Sequence, residues 1–130
     1  METAIEKLVA LCCFVIGLSH AVQPRAWVQL FIQWREKGTV GVFYTALLHF
    51  VFGALVVAFH NVWRGLPMVV TILGWAWTIK GTLYLVYPAH GMKMLRRVSL
   101  ERAWEFVVAG VVLLAIAAVI VFSLTTRGEL

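Results

Sequence analysis

At 130 residues, 62% hydrophobic and only 13% charged, with a mean hydropathy of +0.92, this chain carries more apolar surface than a water-soluble domain of its size can hide. Its formal charge of +5 and isoelectric point near 9.7 do not mark a nucleic-acid binder, because Lys and Arg fall in short stretches between apolar runs and build no continuous basic face. They read instead as topology signals and lipid-headgroup contacts.

Four apolar runs are long enough to span a bilayer: 5–22, 40–60, 67–87 and 103–124. The first follows a start that carries glutamates, lacks a basic n-region and shows no small-x-small cleavage site, so a retained helix is expected and not a secretory leader. Cys12 and Cys13 are adjacent in it. They cannot pair with each other in regular geometry and lack metal-ligand spacing, so they read as small packing residues. Between the first two runs, Trp27, Leu30, Phe31 and Trp34 recur at helical spacing while Arg25, Gln29, Gln33 and Glu36 do not. This spacing predicts an amphipathic helix lying flat at the membrane surface and opened by Pro24.

The second run ends in a polar corner, Phe59-His60-Asn61-Val62-Trp63, followed by an Arg64-Gly65-Leu66-Pro67 turn. The third, 21 residues from Pro67 to Tyr87, would rise roughly 30 Å as a helix, the thickness of the hydrocarbon core, and it contains Lys80. Pro88 then opens a shorter basic segment with Met92, Lys93, Leu95, Arg96 and Arg97. Ser99 is expected to cap the last helix, with Glu101 in its first turn.

The two halves resemble each other. Gly17-x6-Pro24 recurs as Gly81-x6-Pro88, each leading from a span into a surface segment, and Phe52-Gly53 is answered by Ala109-Gly110. The expected fold class is an all-α membrane protein, a single integral domain over 1–130. Its four transmembrane helices form two tandem helical hairpins, each with a cytoplasmic amphipathic surface segment, related by a pseudo-twofold near the membrane normal. Seven Lys and Arg residues flank the surface segments (Arg25, Arg35, Lys37, Lys93, Arg96, Arg97, Arg102), against Lys7, Arg64 and Arg127 on the opposite side. That asymmetry predicts surface segments in the cytoplasm and both termini extracytoplasmic.

The stretch Phe59-His60-Asn61-Val62-Trp63, with Gly74-Trp75, Lys80-Gly81 and Pro88, resembles a family of uncharacterised small bacterial integral membrane proteins of similar length. The resemblance implies four helices and the bacterial inner membrane, with no activity attached.

Ionisable groups at membrane depth default to a functional reading. His49 lies near the middle of the second run, and Lys80 on the third falls within one or two turns of it in depth, since adjacent spans run antiparallel. With Tyr84 they could face one polar pocket, with His20 near its mouth and Glu105 as the nearest acid on the last helix; Trp77 shares the Lys80 face and could pack on the lysine stem. The competing reading has Lys80 snorkelling toward the headgroups and the histidines making structural hydrogen bonds. His60, Asn61 and Trp63 form the extracytoplasmic corner. The histidines His20, His49 and His60 stand too far apart in depth to ligate one haem within a chain, so haem would require a homodimer pairing each histidine with its copy.

No aspartate, paired-carboxylate face or glycine-rich phosphate loop is present, so no catalytic residues, metal ligands or cofactor are assigned and no enzyme activity is expected. Small residues on several spans allow close helix approach. The expected role is an accessory or scaffolding subunit that sits in the lipid bilayer as a homo-oligomer or docks on a larger membrane protein complex. The alternatives are a small transporter or channel using the Lys80 and His49 pocket and, more remotely, the haem-binding homodimer.

Overall fold

The computed structural model describes all residues from Met1 to Leu130 and is helical throughout, with no strand. Six α-helices follow one another: α1 (Glu2–Val22), α2 (Pro24–Glu36), α3 (Thr39–Phe59), α4 (Met68–Val86), α5 (Pro88–Arg96) and α6 (Trp104–Thr126). Four of them, α1, α3, α4 and α6, are long and apolar enough to cross a membrane. Their limits fall within a few residues of those expected. The chain is thus a multi-pass membrane protein by its helices, with α2 and α5 as short amphipathic connections.

The internal repeat has a backbone counterpart. Gln23, between α1 and α2, has φ −126° and ψ 52°, and Tyr87, between α4 and α5, has φ −130° and ψ 74°. Each donates its N–H to the carbonyl four residues back, Ser19 and Leu83, at 2.8 Å, and each precedes a proline that opens the surface helix. The residue before proline is driven out of the helical region, which terminates the span at the same point in both halves.

Span, surface helix, span therefore occurs twice, as expected, but the closest packing runs between the halves. Helix α1 lies along α6 and α3 along α4, whereas α1 touches α3, and α4 touches α6, only lightly. Exchanging the halves maps one close pair onto the other, as an axis along the membrane normal requires, because α1 and α4 run in the same direction. The short Arg64–Pro67 turn forces α3 and α4 together; the long connection through α2 lets α3 leave α1.

Small residues set the distance in both pairs. A Cβ added at Gly81 would stand 2.4 Å from Phe50 N, and one at Gly53 would stand 2.4 Å from Thr78 N. On the other pair, a Cβ on Gly110 would fall 2.6 Å from Gly17 O, and one on Gly17 would fall 2.9 Å from Gly110 O. Backbone meets backbone at each crossing, which is how helices associate where lipid removes the hydrophobic drive between them. Near the termini, Ile5, Val9, Cys13, Val56, Val70 and Ile120 join the two pairs in one core. At the other end, Val42, Ala46, Tyr84 and Leu95 make a second cluster, beneath which Arg35 of α2 donates to Val98 O at 3.1 Å and to Leu95 O at 3.5 Å. The two surface helices are thereby pinned to each other.

The last helix begins later than the sequence suggests. Ser99 is extended and its side chain caps nothing; Leu100–Arg102 form a single 3₁₀ turn, closed by Arg102 N–H to Ser99 O at 3.1 Å, and α6 starts at Trp104. The tighter turn brings Arg102 onto Glu105 three residues on, so the acid of the first turn is Glu105 and not Glu101. Replacing Gly81 by Ala is expected to cost about 1–3 kcal/mol of unfolding free energy through overpacking against the Phe50 backbone, read by denaturant titration in detergent. Ala58→Leu, on an exposed face of α3, should stay within about 0.5 kcal/mol of the parent.

Candidate functional site

The structure gathers the polar side chains of the spans into two separate groups. The first is at mid-span. His49 is the central residue of α3, and its Nδ1 lies 2.8 Å from Thr45 O, a carbonyl that can only accept, so Nδ1 carries the proton. Nε2 is then left with a lone pair, and Lys80 Nζ donates to it at 3.2 Å. The ammonium also stands 5.7 Å from the centre of the Tyr84 ring, within cation–π range. Lys80 remains exposed beside a half-buried His49, and the buried Thr45 Oγ1 one turn away has no partner within the chain.

No carboxylate of the protein reaches Lys80. Of the six, Glu6 and Glu129 pair with Arg127 and Glu105 pairs with Arg102; Glu2, Glu36 and Glu101 are exposed at helix ends. A lysine at this depth costs about 2.5–3.5 kcal/mol on insertion scales, and a hydrogen bond from a charged donor returns about 1.5–3 kcal/mol of it. The geometry is that of a cation held in place by a neutral histidine, with two of its three N–H groups unspent.

The other candidates lie elsewhere. His20 donates from Nδ1 to Ile16 O at 2.8 Å and stacks on Trp27 at 4.0 Å and Phe106 at 5.6 Å, within an aromatic layer between α1, α2 and α6. Trp27 in turn donates to Ser19 Oγ at 2.9 Å. Glu105 is bound to Arg102 at the start of α6. Trp77 turns edge-on to Phe52 at 5.9 Å and packs against the core between the helix pairs, so the aromatic partner of Lys80 is Tyr84, four residues on. The five expected pocket residues thus divide into a contiguous trio, His49, Lys80 and Tyr84, and two outliers.

The second group is the corner near the termini. His60 does not extend the face of α3; it caps the helix in an extended conformation (φ −142°, ψ 106°) and is buried. Its Nε2 faces Glu6 Oε1 at 3.3 Å, and its Nδ1 faces Thr71 Oγ1 at 3.0 Å. Thr71 Oγ1 spends its one proton on Val62 O at 2.8 Å and accepts from Val62 N at 3.0 Å. Both ring nitrogens of His60 therefore face side-chain oxygens, one on α1 and one on α4. The other oxygen of Glu6 takes Arg127, whose placement follows from the end of α6: Gly128 adopts φ 70°, and the Gly128 and Glu129 N–H groups return to Thr125 O and Leu124 O at 3.0 and 2.9 Å. Asn61 and Trp63 point outward and bond to each other, Trp63 Nε1 to Asn61 Oδ1 at 2.9 Å.

Glu6, Thr71 and Arg127 escape the sequence reading. Glu6 counts there only against a cleaved leader, and Arg127 only toward topology. The available signal is the position of Glu6, one turn inside an apolar helix and in register with Val9, Ala10 and Cys13, which marks a buried face. For haem, His49 and His60 each have both ring nitrogens engaged, so neither offers one to iron without giving up a bond.

Glu6→Ala is expected to destabilise the fold by roughly 1–3 kcal/mol, because it removes the oxygen that faces the buried His60 ring together with the partner of Arg127, with the loss read by denaturant titration in detergent. Arg127→Ala should also destabilise, by about 1–3 kcal/mol, since it leaves the second oxygen of Glu6, a side chain only 2% exposed, without its donor.

Comparison of the chain with family models, with curated proteins and with solved structures gives no match in any of the three.

Proposed function

We propose that this chain is an accessory or scaffolding subunit of the bacterial inner (cytoplasmic) membrane that self-associates or docks on a larger membrane complex. The observation that carries this reading is the exposed Lys80 at mid-span, oriented by His49 but without an anion of its own. A polar group placed on an accessible face at that depth is costly to leave to lipid and useful to a partner. Large apolar side chains on the outer faces, such as Leu11, Phe14, Leu48, Ile79 and Phe122, suit lateral packing.

The transport reading draws on the same Lys80 and His49. It is weaker, because His20 is committed to the aromatic layer and Glu105 to Arg102, which leaves two polar side chains and Tyr84 where a route across the membrane needs a continuous series. The orientation that accompanies the proposal, with α2 and α5 in the cytoplasm and both termini outside, is supported by Lys and Arg, seven on the side of the surface helices against three on the side of the termini.

Native mass spectrometry of the protein extracted in native nanodiscs is expected to show an oligomer or a co-purifying membrane protein. A bare monomer from both nanodiscs and mild detergent would overturn the accessory reading. Reporter fusions after residue 36 and at the C-terminus should report cytoplasm and exterior respectively; the reverse pattern would overturn the orientation.

A further inference from the structure

We infer that Lys80 and His49 form the receptor for a single carboxylate, a Glu or Asp side chain carried at mid-membrane depth by a transmembrane helix of a different membrane protein. This rests on the accessory reading above and narrows it to one partner chemistry.

Three features of the pair point there. The ammonium has three N–H groups and spends one on His49 Nε2, while the ring is locked by its Nδ1–H to Thr45 O, so the remaining donors are held in a fixed direction. A carboxylate accepts two donors and cancels the charge, which a carbonyl does not. Tyr84 shields one side of the cation without neutralising it. Beside Lys80 on α4, Ala76 and Leu83 are exposed, one turn to either side, so the surface around the cation is apolar and includes a small residue against which a helix can settle.

The same inventory excludes a second copy as the donor of the anion. All six side-chain carboxylates sit at or within about one turn of helix ends, and the three nearest the bundle are already paired with Arg127 or Arg102. No exposed acid exists at the depth of Lys80. Lipid phosphate is the other membrane anion, but Lys80 lies six residues inside the end of α4, about 9 Å by helix rise, and its nitrogen is turned onto His49.

The test uses the full-length protein reconstituted in phosphatidylcholine vesicles with labelled Leu/Ala transmembrane peptides that differ only at the central residue. A Glu peptide is expected to associate, by resonance energy transfer, about tenfold or more tightly than its Gln or Leu counterpart. Lys80→Met, which suits the membrane and keeps the bundle, should abolish that preference. Lys80→Glu should transfer it to a Lys peptide. Equal association of the Glu, Gln and Leu peptides, or an undiminished Glu preference in Lys80→Met, overturns the inference. So does loss of the preference on adding phosphatidylglycerol together with a Lys80-dependent stabilisation by that lipid, which would assign the anion to a headgroup. A natural partner retained by Lys80→Met, with no Glu preference in the peptides, removes the carboxylate site and leaves the accessory reading standing. A bare monomer in native mass spectrometry with an intact Glu preference supports the carboxylate site and removes the accessory reading.

Discussion

Backbone-to-backbone contact at the glycine crossings is the constraint on which the rest of this structure depends. Inside a bilayer, apolar side chains gain little by leaving lipid for one another, so helices hold together where small residues let their backbones touch. Gly53 and Gly81 do this for α3 and α4, Gly17 and Gly110 for α1 and α6. Once α3 and α4 are that close, side chains flanking the crossing have no choice of neighbour. Lys80, next to Gly81, meets His49, next to Phe50, whose backbone Gly81 abuts.

The two polar groups have opposite economies. At the corner, a carboxylate, an imidazole, a guanidinium and a hydroxyl come from α1, the end of α3, the tail and α4, and each finds its complement inside the protein. Such a network closes the ends of four elements against one another and needs nothing further. At mid-span, the histidine is satisfied and the lysine is not. A structural role accounts for every hydrogen-bonding group at the corner, whereas the lysine retains charge and donors that the chain does not use.

The surface helices tie the same ends together on the opposite side. Arg35 joins α2 to the end of α5, and the His20, Trp27, Phe31 and Phe106 rings join α2 to α1 and α6. Here too a residue that reads as a positive topology signal has a second task. Arg35 delivers its guanidinium to carbonyls left open at a helix end, an arrangement that Lys, with a single point charge, would reproduce less well.

Length and apolar composition by themselves determined four spans, because a bilayer asks only for enough consecutive apolar residues. Pro24 and Pro88 determined where two of those spans stop, because proline restricts its predecessor whatever surrounds it. The nearness of Lys80 to His49 was legible as well, since antiparallel neighbours joined by a short turn share depth in register. What only the tertiary structure decided was which spans pack closely, and hence that α1 finds α6 across the whole length of the chain. That pairing is what brings Arg127 to Glu6, and no local pattern encodes a contact between residues so far apart in sequence. The same holds for the fate of His20 and Glu105, which share a plausible depth with the pocket but are claimed by closer partners, Trp27 and Arg102. Depth follows from the helix rise; the direction in which a side chain turns follows from the neighbour that reaches it first.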